Sequence, residues 1–191
     1  MQAVVAVEDA SFFDHSGGDY KSIVRALIRD LLRGEAAEGG STITQQYVKN
    51  ALIGSEKTLS RKLREASLAY HLEKSLSKQE ILERYLNTVY FGRGAYGIEA
   101  AAKTYFGKSA SQLSLADSAL LAGLIKSPGD YDPALSPDSA KRRRDFVLDI
   151  MARHRLYPLE QRTADTNPSD SGIRAVSSAV LCRLRKAVDT D

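Results

Sequence analysis

Two acids stand side by side in the stretch VVAVEDASFFDHSGGD: Glu8 and Asp9, with Val4, Val5 and Val7 before them and Phe12 and Phe13 after. A carboxylate among apolar neighbours is costly unless it is paired, hydrogen-bonded or protonated. The pair therefore reads either as solvated or helix-capping acids or as a poised general base. A third carboxylate, Glu65, lies in SRKLREASLAYHLEKSL one helical turn after Arg61. It reads either as an i,i+4 ion pair or as a functional acid at the wall of a cleft. Between them runs EGGSTITQQYVKN, in which Gly39-Gly40 is followed by Ser41, Thr42, Thr44, Gln45 and Gln46, then Lys49 and Asn50, with Lys57, Arg61, Lys62 and Arg64 beyond. Small hydroxyl residues at a helix start with cations nearby suit a phosphate or pyrophosphate, although a solvated loop is the commoner reading of such a segment alone. A sugar hydroxyl attacking an activated sugar needs a base. A pyrophosphate leaving group needs charge neutralisation and no proton donor, which separates a transferase from the two-carboxylate glycoside hydrolases.

The elements that must hold these groups are mostly helical. DYKSIVRALIRDLLRG runs from a capping Asp19 to Gly34, and Ser60 to Leu76 contains neither Gly nor Pro. That second helix carries two apolar faces, Leu59, Leu63, Ala66 and Tyr70 on one and Leu68, Ala69, Leu72 and Leu76 on the other, which predicts a sandwiched helix. SKQE from Ser77 and SLAD from Ser114 are capping boxes, Pro128 stops the second of these helices, and Pro137 opens another that continues to about His154. AVVAV and TVYF read as short strands. Tyr85, Leu86, Tyr90 and Phe91 read as core, and Asn87, Arg93 and Lys126 as candidates for a cleft.

The chain has 191 residues, a net charge of +3, one cysteine (Cys182) and three histidines. This excludes an internal disulfide framework, makes a structural zinc site improbable and gives no argument for nucleic acid. No apolar run reaches the length of a membrane span. After Pro158 the sequence turns polar and then basic, which places a domain over 1–158 and an unassigned tail over 159–191. The first motif starts so close to Met1 that upstream sequence, including an anchor, is expected to be missing.

Five stretches in order, EDASFFDHSGGD, GGSTITQQ, RKLREASLAYHLE, ILERYLNTVYFGRGAYGIEAAA and LADSALLAGLIKSPGDYDP, resemble the motifs of the peptidoglycan glycosyltransferases, glycosyltransferase family 51. The resemblance covers roughly residues 2 to 157 and departs from the family at Asp117, usually Glu, and at Tyr47, usually aliphatic. It implies a mainly α, lysozyme-like domain of two lobes around a long substrate cleft. It also implies polymerisation of lipid II into β-1,4-linked glycan with release of undecaprenyl pyrophosphate, at the extracytoplasmic face of the bacterial cell membrane. By this resemblance Glu8 is the catalytic base and Glu65 the second glutamate, on the donor side, while Asp9, His15 and Asp19 support the base. Ser41, Thr42, Gln45, Gln46, Lys49, Asn50, Lys57 and Arg64 line the donor site. A divalent cation such as Mg2+ is expected at the pyrophosphate, with no protein metal cage. The implied partners are lipid II, the growing glycan strand, the membrane surface and other cell-wall synthesis proteins. The docking segment is expected where Ile28, Leu31 and Leu32 lie among Arg25, Arg29 and Arg33. Two rival readings are a truncated lipid II-binding module without turnover and a lysozyme-like enzyme that cuts glycan.

Overall fold

The computed structural model describes residues 1–14, 41–52 and 59–154. His15, Asp19, Lys57, the helix expected after Asp19 with its docking segment, and the boundary at 158 lie outside the described residues. Within them the chain is mainly α, as the sequence predicts. The helices are α1 Gln2–Glu8, α2 Ile43–Leu52, α3 Leu59–Ser75, α4 Lys78–Thr88, α5 Ile98–Phe106, α6 Leu115–Lys126 and α7 Pro137–Arg153, with a 3-10 turn at Ala110–Gln112. The AVVAV stretch is helix, not strand. Ala3, Val4, Val5 and Ala6 are all buried, and a short run apolar on every side carries no period that separates strand from helix. TVYF is not a strand either: α4 continues to Thr88, and only Tyr90 makes an isolated antiparallel bridge, to Tyr96. None of the described helices is long and apolar enough to cross a membrane.

Two compact units are present, one contiguous from Glu8 to Thr88 and one made of Met1–Val7 with Val89 onward. In the contiguous unit α2 packs on both α3 and α4. The Ser77 box forms as expected: Glu80 accepts the Ser77 N–H at 2.8 Å, and Ser77 Oγ accepts the Glu80 N–H at 3.3 Å. The Ser77 N–H, and then its hydroxyl, hold the Glu80 carboxyl below its ordinary pKa. Ile81, Leu82, Tyr85 and Leu86 then form one buried face of α4. Of the two faces read on α3, Ala66 and Ala69, one from each, are buried, and Tyr70 and Leu72 are half-buried, but Leu68 departs. Leu68 is 39% exposed, and the buried stripe is Glu65, Ala66 and Ala69.

In the other unit α6 packs on α7. Ser114 and Asp117 form the second capping box, with hydrogen bonds of 3.1 and 3.0 Å. Ala119 to Leu124 are all buried, as expected of a helix apolar on every side. Tyr90 is corrected from core to surface: it is 39% exposed and its ring lies 4.7 Å from that of Tyr96. Asn87 and Lys126 are exposed. Arg93 is tied down instead, with Nε 2.7 Å and Nη2 3.0 Å from the two oxygens of Asp132. This fork fixes a loop in which Gly92, Arg93 and Gly94 all have positive φ. Gly92 is confined as well, since a Cβ there would sit 2.7 Å from Tyr105 Oη and 3.1 Å from Pro128 Cβ. Gly92→Ala is therefore expected to destabilise by more than about 1 kcal/mol in urea unfolding. An unchanged midpoint would show that the loop relaxes freely.

Candidate active site

The site is built around the start of α2. Thr42 and Gln45 form a capping box that the sequence reading passed over: Thr42 Oγ1 accepts the Gln45 N–H at 3.2 Å, and Gln45 Oε1 accepts the Thr42 N–H at 3.3 Å. Asp9 reaches the same helix start, its Oδ2 accepting the Ile43 N–H at 3.3 Å. This bond between residues far apart in sequence fixes the turn that follows Glu8. Gln45 is 2% exposed, and its Nε2 is buried without a hydrogen-bond partner among the described residues.

Gln46 holds Glu8. Its Nε2 donates to Glu8 Oε2 at 2.9 Å and to the Ser41 carbonyl at 3.3 Å, while its Oε1 accepts the Tyr85 hydroxyl at 2.7 Å. On the other side of Ser41, Lys62 Nζ donates to Ser41 Oγ at 3.4 Å and lies 3.2 Å from Glu65 Oε2. Arg61 Nη1 lies 3.0 Å from Glu65 Oε1. A continuous polar path thus runs from Glu8 through Gln46, Ser41 and Lys62 to Glu65. The i,i+4 pair weighed for Glu65 is present, and so is a second cation that places this carboxylate, 2% exposed, beside the α2 start.

The structure therefore brings together Glu8, Asp9, Ser41, Thr42, Gln45, Gln46 and Glu65. Lys49 and Asn50 at the end of α2 and Arg64 on α3 are exposed and outside this path. Lys62 and Tyr85 were missed as site residues. Lys62 was legible as an i,i+3 partner of Glu65. Tyr85 had only the signature of a core aromatic.

A family model described as Transglycosylase matches residues 1–152. Penicillin-binding protein 1A of Neisseria flavescens is 46% identical over 160 residues, 84% of this chain and 20% of that protein. Penicillin-binding protein 1F of Bacillus subtilis (strain 168) is 48% identical over 150 residues, 78% of this chain and 21% of that protein. The crystal structure of penicillin-binding protein 1A from Haemophilus influenzae is 31% identical, covers 66% of this chain and 16% of that one, and superposes with a TM-score of 0.47. The chain belongs to the transglycosylase family. It spans about a fifth of the length of the penicillin-binding proteins it matches.

A second network supports the path from below. Thr44 Oγ1 donates to Glu73 Oε1 at 2.6 Å, Lys78 Nζ sits 2.9 Å from Glu73 Oε2, and the same Nζ lies 4.6 Å above the Phe12 ring. Thr44→Val keeps the shape and removes one hydrogen bond to a charged group, an expected loss of roughly 1.5–3 kcal/mol in chemical denaturation. Wild-type stability would mean that this junction does not hold the three helices.

Proposed function

We propose that this chain is a peptidoglycan glycosyltransferase domain that extends glycan strands from lipid II at the outer face of a bacterial cell membrane. The observation that carries the reading is the path joining Glu8 to Glu65 through Gln46, Ser41 and Lys62. A carboxylate that could act as base and a cationic, hydroxyl-bearing patch then meet beside the start of α2, and membership of the transglycosylase family supports the reading. Glu8 takes the proton from the 4-hydroxyl of the acceptor GlcNAc as that oxygen attacks the anomeric carbon of the donor sugar. The bond from that carbon to the pyrophosphate oxygen breaks, and undecaprenyl pyrophosphate departs with the electron pair. Lys62, with Lys49 and Arg64 further along their helices, offsets the charge that develops on the leaving group. Ser41 and Thr42 supply neutral hydrogen bonds there.

A divalent cation does not fit Glu65 as it stands, because Arg61 and Lys62 already occupy both carboxylate oxygens. A hard cation needs several oxygen ligands. No group of three or more His, Cys, Asp or Glu among the described residues could hold a metal. The mechanism takes no step through a metal. The glycan-cleaving alternative needs a general acid for a sugar leaving group. With Glu65 taken up by two cations, the described site offers that alternative no support.

Incubation with lipid II and sizing of the product on a gel tests the reading. Long glycan supports it, shortened glycan supports the hydrolase, and unreacted lipid II supports the binding module. Glu8→Gln is expected to cost about two orders of magnitude in polymerisation with the fold intact. Near-full turnover in that variant would remove Glu8 from its role. Lys49→Ala and Arg64→Ala are each expected to weaken donor binding about tenfold, as for the loss of one charged donor. Wild-type donor affinity in both would place the pyrophosphate elsewhere.

A further inference from the structure

The Gln46 amide has three partners, and together they admit one orientation. Its two amide hydrogens go to Glu8 Oε2 and the Ser41 carbonyl, and its oxygen faces the Tyr85 hydroxyl at 2.7 Å. Rotated by half a turn, the amide would set its oxygen against both a carboxylate and a carbonyl, two acceptors with no hydrogen between them. Tyr85, whose hydroxyl could donate or accept, does not make that choice but anchors the amide oxygen on its far side. It is fully buried on α4, with Ile81, Leu82 and Leu86 beside it on the same face. Burial first, and then the Glu8 charge, push its phenol far above the ordinary range, so it keeps its proton and remains a donor at every working pH. A buried hydroxyl with one partner at short range is a fixed direction, not a sampled one. Among the described residues no hydrogen bond reaches the other oxygen of Glu8, Oε1.

We infer that Tyr85 is a positioning residue for the transfer reaction. Its hydroxyl anchors the Gln46 amide in place, so that the amide nitrogen stays on Glu8 Oε2 and leaves Glu8 Oε1 to take the acceptor's proton. The inference rests on the base assignment proposed above for Glu8, and it adds which oxygen of that base reacts and what aims it. Tyr85 touches no substrate in this scheme and acts only through Gln46.

The test is a double-mutant cycle on the chain, read as lipid II polymerisation. Tyr85→Phe removes the hydroxyl and keeps the ring. It is expected to lower kcat about tenfold, as misorientation of a reacting group does, with KM unchanged. Gln46→Leu is expected to lower kcat by at least as much. In the Gln46→Leu background, Tyr85→Phe should then cost nothing further, because its only route to Glu8 is gone. A purely structural role for Tyr85 would instead lower kcat equally in both backgrounds, and that result overturns the inference. So does wild-type kcat in Tyr85→Phe. Should Tyr85→Phe fail to fold, Gln46→Leu alone decides, since full turnover without the amide refutes the aiming of Glu8. Glu8→Gln is run alongside. An inactive Glu8→Gln with an unaffected Tyr85→Phe rejects the inference alone, whereas an active Glu8→Gln rejects the base assignment on which it rests.

Discussion

The contiguous unit is organised around one buried carboxylate. Glu73 on α3 takes a hydrogen bond from Thr44 on α2 and an ion pair from Lys78 on α4, and Lys78 lies over the ring of Phe12. A buried charge is tolerated only where its partners are in place, so each of these elements is held at a set distance from the others. Phe12 sits in the turn after Glu8 and Asp9. The constraint therefore reaches the candidate base within a few residues of chain. The Asp9 bond to the α2 start and the Gln46 bond to Glu8 complete a placement that the Glu73 junction begins.

Polar side chains near the candidate site divide between capping α2 and holding Glu8. Thr42 and Gln45 cap α2, and Gln46 is saturated by Tyr85, Ser41 and Glu8. A helix start whose own donors are satisfied by side chains keeps its geometry when a charged ligand arrives or leaves. Glu65 is arranged in the same spirit. Two cations hold it against α3, and one of them, Lys62, extends to Ser41. The basic character of the site is thus anchored by a carboxylate on the helix that carries it.

Much of this was legible in the sequence. Ser77 with Glu80 and Ser114 with Asp117 announced their helices because a cap is a local contact between neighbours in the chain. The type of α1 was not legible, since four consecutive buried residues carry no period. The exposure of Leu68 and Tyr90 was not legible either, because burial depends on what lies across from a side chain. The motif TITQ was read for its hydroxyls and amides as a ligand surface, while its S/T-x-x-Q spacing marked a cap. Glu8, Asp9 and Gln46, which the sequence singles out, lie together at the start of α2. The link from Gln46 to Tyr85 spans 39 positions and belongs to the fold alone.

The division of the chain into units has a consequence for how it is made. Residues Glu8–Thr88 form one unit without interruption, whereas Met1–Val7 belongs with residues from Val89 onward. During synthesis α1 emerges before its companions, which follow more than 80 positions later. At ~5–20 residues per second that is a delay of roughly 4–16 s. Through that interval Ala3, Val4, Val5 and Ala6, all buried in the finished fold, stand without their cover. The segment that ends in the candidate base thus leaves the ribosome well before the residues that share its unit, and its apolar side chains depend for their cover on chain made later.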